Sequence, residues 1–382
     1  MTTILPLLGA FASGLFPALV AAALVFCAAL PGTSVADLSM IASAVFFGKV
    51  VASACGGALA DRLGRLAAIR LAGALSVAGS VTTVISARTI PLIALGIGIE
   101  GFALGLFSIL LPLHLIETQP VERHGRASAE YQFGNTAGML TGALVGMLVA
   151  GTGVEPDVGG RMDLLAFLPV GMIFFGLSCV RTGGGRSAGR RNAVFPWREN
   201  LGALLKAVSV LSLTSAMGAG VIACHAVLLL QRSGLEGVTS NGVYLLTGIV
   251  SLFAAGLSRC VLQRTSRTVV LRAGSIGTAV SLLLLSVAVG SASPSLVAAS
   301  LLLYTGFFVF GPGVAAWTIA GDILPREVRA RGMSCALLAN QLVTAGLTAV
   351  FLPFGARFGL APLLLLFVAS ALAYCLAVRR NG

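Results

Sequence analysis

The chain consists of long apolar runs separated by short clusters of arginine, glycine and proline. No single motif constrains it as much as this alternation. A helix rises 1.5 Å per residue, so about 20 apolar residues cross the ~30 Å hydrocarbon core of a bilayer. Inside lipid, each segment must also satisfy its own backbone hydrogen bonds, which a helix does. Twelve such spans are predicted, near residues 4–30, 38–60, 68–87, 90–116, 128–152, 163–180, 201–230, 240–258, 269–291, 295–320, 332–354 and 360–378. Only 10% of the residues are charged, against roughly 25% in a soluble domain. The expectation is an all-α membrane protein of twelve transmembrane helices.

The net charge of +12 raises the question of a nucleic-acid partner. The basic residues are not interleaved with aromatics in a patch, and they fall between the apolar runs, so no nucleic acid is expected. Their distribution reads as topology instead. With an even number of spans, one set of connections holds twenty of the 25 Lys and Arg residues, from Arg62, Arg65 and Arg70 to Arg379 and Arg380. The opposite set holds Arg88, Arg161, Arg232 and Arg357. By the positive-inside rule the arginine-rich side is cytoplasmic and carries both termini. Those arginines also suit contact with lipid phosphates. The first residues, MTTILPLLG, lack the basic start of a signal peptide, so the first span is expected to be retained. The expected location is a cell inner membrane, crossed many times.

The sequence repeats itself. Arg65-LAAI-Arg70 after the second span is matched by Arg267-TVVL-Arg272 after the eighth. Glu117-TQ-Pro120 after the fourth is matched by Asp322-IL-Pro325 after the tenth. Two six-helix halves related by a parallel pseudo-repeat account for these offsets. The expected division is an N-terminal bundle over 1–180, a Gly- and Arg-rich cytoplasmic connector over 181–200, and a C-terminal bundle over 201–382.

Between the second and third spans stands GGALADRLGR, residues 56–65. Gly57, Asp61, Arg62, Gly64 and Arg65 resemble the loop signature G-x-x-x-D-R-x-G-R of the major facilitator superfamily. The segment after the eighth span, SRCVLQRTSR, resembles a degenerate copy without the acid and the glycines. The resemblance covers the whole chain and implies alternating-access transport. It also implies a cytoplasmic gate of acid–arginine pairs that form when that face closes. Asp61, Arg62 and Arg65 would belong to it. A tight turn with a topology anchor is the other reading of the same residues.

A narrower resemblance is to the sugar porter family. PLHLIETQPVERHG, residues 112–125, is similar to P-x-Y-x-x-E-x-x-P-x-x-x-R-G, with Pro112, Glu117, Pro120 and Gly125 matching. His114 and His124 replace the Tyr and the Arg, and Arg123 stands beside the latter. In the tenth span, GPGVAAWTIAGDILPREVRARG resembles that family's G-P-x-P-x-P-W and E-x-x-P-x-x-x-R-x-x-G segments. This adds Glu117, Arg123, Asp322 and Arg329 to the implied gate. It also implies substrate contacts at Gln132, Trp317 and Asn340. The family's polar set in the seventh span is missing, with Thr214, Ser215 and Gly220 at those positions. The first span lacks an aspartate.

Two ionisable residues lie near mid-span, Lys49 in the second span and Glu100 in the fourth. Burying either alone costs at least ~2.5–3.5 kcal/mol. Both stand about eleven residues inward on antiparallel helices, hence at similar depth. They can form a structural pair. Alternatively Lys49 receives an anionic substrate, or Glu100 carries a coupling proton. His225, on an apolar stretch of the seventh span, is either a packing residue or a substrate-binding donor. Tyr244, Tyr304 and Thr305 are further polar candidates. Gly134, Gly138, Gly142 and Gly146 recur every four residues in the fifth span, a smooth stripe that suggests a sliding seam with the eighth. The seven cysteines lack ligand-like spacing and read as packing residues.

No clustered nucleophile, metal set or phosphate loop occurs, and no channel-filter pattern. The chain is therefore read as a carrier and not as an enzyme, with no cofactor or metal. It is expected to be a monomer working by symport or uniport. Its partners are a small-molecule substrate, membrane lipids and protons if transport is coupled. The substrate expected first is a sugar or polyol. The alternative is a proton-coupled transporter or exporter of a drug-like or organic-anion solute.

Overall fold

The computed structural model describes residues 4–30, 32–86, 89–118, 124–151, 197–235, 237–262, 264–291, 293–325 and 329–379. Within them the chain is helical throughout. Five helices make up the first part: α1 Ile4–Ala29, α2 Val35–Leu63, α3 Arg65–Ile85, α4 Ile90–Thr118 and α5 His124–Gly151. The second part begins with α6 Trp197–Ala216, α7 Ala219–Arg232, α8 Gly237–Leu262 and α9 Arg267–Gly290. It continues with α10 Pro294–Phe308, a π-helical stretch Val309–Gly313, α11 Val314–Ile323, α12 Arg329–Phe358 and α13 Ala361–Arg379. Among the described residues, eight helices are long and apolar enough to cross a membrane, and three shorter apolar helices accompany them. The sixth span, expected at 163–180, and the connector up to residue 196 lie outside the described residues.

Local chemistry explains several boundaries. Ser34 and Asp37 form a reciprocal capping box at the start of α2: the Ser34 amide donates to Asp37 Oδ2 at 2.9 Å, and the Asp37 amide donates to Ser34 Oγ at 3.2 Å. Gly64 ends α2 and starts α3 at φ 81°, a conformation that side-chain-bearing residues avoid. The glycine of DRLGR is thus a turn residue. Pro312 sits within the π-helical stretch, where the missing N–H interrupts the helical ladder.

The seventh span departs from the expected continuous helix over 201–230. It breaks at Met217–Gly218, with Gly218 at φ 85°. Groups from distant helices meet this break. The Tyr304 hydroxyl donates to the Met217 carbonyl at 3.1 Å, Asn340 Nδ2 donates to the Leu211 carbonyl at 2.7 Å, and the Thr344 hydroxyl bonds Ser215 Oγ at 2.9 Å.

In the N-terminal part, α2 packs on α4, α4 on α3 and α1 on α5. In the C-terminal part, α9 packs on α13 and α10, and α6 on α12. The two parts meet through α2 with α12, α5 with α8, and α1 with α7. One buried apolar cluster crosses this boundary, with Leu24, Ile41 and Phe46 on one side and Ile222, Leu230 and Phe351 on the other.

The glycine stripe of α5 has a different partner from the one expected. A Cβ at Gly138 would collide with the Phe11 carbonyl, and one at Gly142 would press on Ala18 and Leu15. Gly138 and Gly142 therefore belong to the α1–α5 seam inside the first half. The α5–α8 contact is made by Leu140 against Gly248 and by Gly146 beside Asn241. The smooth face is used where two backbones come closest, and that happens within the half.

Candidate functional site

The cross-half contacts gather toward one end of the bundle. Asn241, near the start of α8, lies beside Gly146, near the end of α5. Ala18, Ala21 and Ala143 of the first half form a buried cluster with Ala226, Val227 and Tyr244 of the second. At the opposite, arginine-rich end, Arg62, Leu63, Leu201 and Lys206 are exposed. The described halves are joined at the arginine-poor end.

Lys49 lies in the middle of α2, fourteen residues from either end. That is about 21 Å of helix on each side, too far for the ammonium to reach an interface by snorkelling. The lipid-facing side of α2 is marked by Phe47 and Val51, 50% and 54% exposed. At 3.6 residues per turn, Lys49 is about 160° from both and points into the protein. Its Nζ lies 5.6 Å from the centre of the Phe46 ring. Phe46 itself reaches Gly220 and Thr344's surroundings on the other half. Cys224 of α7, fully buried, stands within electrostatic range of the ammonium.

Glu100 is completely buried on α4 and faces α3. The Ser80 hydroxyl donates to its Oε1 at 2.8 Å, and Oε2 has no hydrogen-bond partner. The Ser76 side chain lies on the same face of α3, one turn before Ser80. The two charged residues therefore do not form the pair that their similar depth suggested. Lys49 faces the second half, whereas Glu100 faces away into the α3–α4 seam. Depth along a helix sets one coordinate; the direction around the axis sets the other and separates them. The serines of α3, four residues apart, were the sequence signal for Glu100's real neighbours.

The remaining polar candidates are mostly turned to structural tasks. His225 is fully buried, its Nδ1 bonded to the Val221 carbonyl at 2.8 Å and its ring tilted against Phe351 at 4.9 Å. Its Nε2 has no partner. The Tyr244 hydroxyl donates to the Ala223 carbonyl at 3.2 Å, and Thr305 bonds back to Leu301 at 2.8 Å. Asn340, 7% exposed, spends a donor on the Leu211 carbonyl. Thr344 and Ser215 join α12 to α6 beside it, a link that the sequence reading missed.

The backbones of Asp61, Glu117 and Asp322 lie in the last turns of α2, α4 and α11, and Arg65 and Arg329 open α3 and α12. Their side chains, those of Gln132 and Trp317, and the whole of Arg123 lie outside the described residues. Among the described residues, no group of His, Cys, Asp and Glu is arranged to hold a metal ion.

The chain matches the Major Facilitator Superfamily over residues 7–348 and belongs to that family. It is a multi-pass membrane transporter and not an enzyme. It is 24% identical over 376 residues to D-xylose-proton symporter-like 1 of Arabidopsis thaliana, which covers 83% of this chain and 73% of the relative. It is 23% identical over 390 residues to the major myo-inositol transporter IolT of Bacillus subtilis, covering 89% of this chain and 81% of that one. In structure it is similar to a crystal structure of a D-xylose-proton symporter, with TM-score 0.85 and 18% identity over 98% of this chain and 96% of the other. A partially occluded inward-open form of the xylose transporter XylE from E. coli gives the same TM-score, at 18% identity over 99% and 96%. The fold is thus the twelve-helix transporter fold.

Proposed function

We propose that this protein carries a sugar or polyol across a cell inner membrane by alternating access, with both termini in the cytoplasm. The observation that carries the reading is the contact between the halves toward the arginine-poor end, where Gly146 lies beside Asn241 and Ala18, Ala21 and Ala143 cluster with Ala226, Val227 and Tyr244. With the arginine-rich end cytoplasmic, these contacts lie on the outer side, and the substrate sits between the halves near mid-membrane. The relatives' names, a D-xylose-proton symporter-like protein and a myo-inositol transporter, support the substrate class. Gln132, Trp317, Asn340 and His225 are the proposed contacts. Asp61, Arg62, Arg65, Glu117, Arg123, Asp322 and Arg329 are the proposed cytoplasmic gate.

Glu100 supports proton coupling. A buried carboxyl with a serine donor on one oxygen and, among the described residues, no hydrogen-bond partner on the other can gain and lose a proton between two states of the carrier. The second reading, a proton-coupled carrier of an organic anion or drug-like solute, is favoured by Lys49.

The test is counterflow in proteoliposomes containing the full chain. Saturable exchange of a labelled sugar or polyol is expected, and Glu100→Gln should flatten its dependence on pH. A solute flux that never saturates would remove the carrier reading. An unaltered pH profile in Glu100→Gln would remove the coupling role.

A further inference from the structure

Lys49 is the one feature that a carrier of neutral sugars leaves unused. It stands at the middle of α2, on the side opposite the lipid-facing Phe47 and Val51. Yet it is only half-buried. Its ammonium points inward at mid-membrane, beside Phe46, whose ring lies against Gly220 and Thr344 of the second half. Phe46, one turn earlier, packs against Gly220 of α7, and Cys224 of the same helix stands within electrostatic range of the ammonium.

No ion pair joins Lys49 to any acid among the described residues. Its close company is a ring 5.6 Å away and a thiol. Glu100, the only acid the sequence places in the middle of a span, is committed to Ser80 on the far side of α4. Close packing fixes this arrangement. A Cβ at Gly101 would collide with Val45, and Gly105 lies against Ala52 and the Lys49 backbone. The α2–α4 seam therefore holds Lys49 facing the other half and leaves Glu100 no route to it.

A buried-facing ammonium without a fixed counter-ion is a site for a visiting anion. We infer that Lys49 is the anion-recognising residue of the transport cavity and that the preferred solute is a carboxylated sugar or polyol. This deepens the proposed function and rests on it: the hydroxyls of such a solute suit the neutral polar contacts, and its carboxylate suits Lys49. A single carboxylate–ammonium contact raises affinity by about tenfold or more over the neutral analogue.

The experiment is competition counterflow with the full chain in proteoliposomes. The probes are neutral sugars and polyols, the uronate or aldonate of each, and the methyl ester of each acid. The acid should compete at a concentration lower by about tenfold than its neutral parent and its ester. Lys49→Gln should abolish that preference, and Lys49→Arg should keep it. The ester comparison needs no variant, so a misfolded Lys49→Gln leaves the test intact. Exchange of neutral solutes with no preference for the acid over its ester overturns this inference and leaves the carrier reading standing. So does an acid preference that survives Lys49→Gln. Absence of exchange by every member of the panel overturns both.

Discussion

The two halves of this transporter place polar groups in the membrane in opposite ways. In the first half, α2 and α4 run unbroken for 29 residues each and carry ionisable side chains at their middles. In the second half the corresponding polar residues are neutral, and the helices are interrupted instead. The seventh span breaks at Met217–Gly218, and the tenth passes through the π-helical stretch Val309–Gly313. Tyr304 donates to the Met217 carbonyl at the first break, and Asn340 and Thr344 bond Leu211 and Ser215 in the helix that leads to it. In lipid, an unsatisfied backbone group costs several kcal/mol, so a broken helix persists only where side chains satisfy it. The first half thus keeps a rigid frame that aims charge, and the second keeps a deformable one closed by neutral hydrogen bonds.

The sharpest way to break the comparison is to loosen the rigid frame. A Cβ at Gly48 would collide with the Gly98 carbonyl on α4. Backbone cannot yield as a side-chain tip can, so Gly48→Val should exceed the usual 1–3 kcal/mol of overpacking, roughly, and largely abolish folded protein in the membrane. Fluorescence-detected size-exclusion of the solubilised protein checks this. A monodisperse peak of normal height would show that the seam is not rigid. The deformable frame should respond less. Asn340→Ala leaves the Leu211 carbonyl without its side-chain donor at a buried position. The expected loss is about 1–3 kcal/mol, read as a lowered thermal midpoint in detergent with assembly intact. An unchanged midpoint would mean that α6 does not depend on α12.

The same contrast decides what was legible in the sequence. Apolar periodicity and arginine placement gave the spans with boundaries within a few residues, because lipid imposes length and charge rules on each segment separately. The π-helical stretch fell on GPG, whose chemistry is local. The break at Gly218 did not show, since its donors come from residues 87 and 129 positions away in the chain. One glycine in a membrane helix carries little information. The glycine stripe of α5 was legible as a close-packing face, but that Gly138 and Gly142 meet α1 and Gly146 meets α8 depends on the azimuth of α5 in the bundle. Lys49 and Glu100 were found for their cost in lipid, yet their separation rests on the same unseen rotation. At the candidate gate, Asp61, Glu117 and Asp322 fall in the last turns of α2, α4 and α11, and their side chains lie outside the described residues.

The smallest expected effect isolates the break itself. Tyr304→Phe removes one hydroxyl and keeps a ring that stacks on Phe308 at 5.9 Å. Two accounts of the break then differ. If Gly218 alone sets it, through φ 85°, the hydroxyl is incidental and the variant should match the parent. If the Met217 carbonyl needs its donor, the variant should lose about 1 kcal/mol. It should also exchange its amide hydrogens faster over Ala219–Ile222, the first turn of α7, while α2 and α4 stay unchanged. The second outcome is expected, because Tyr304 is buried and its contact at 3.1 Å is the only side-chain donor seen at that carbonyl among the described residues. Faster exchange in α2 as well would show the two frames to be coupled, and the contrast between the halves would fail at its simplest point.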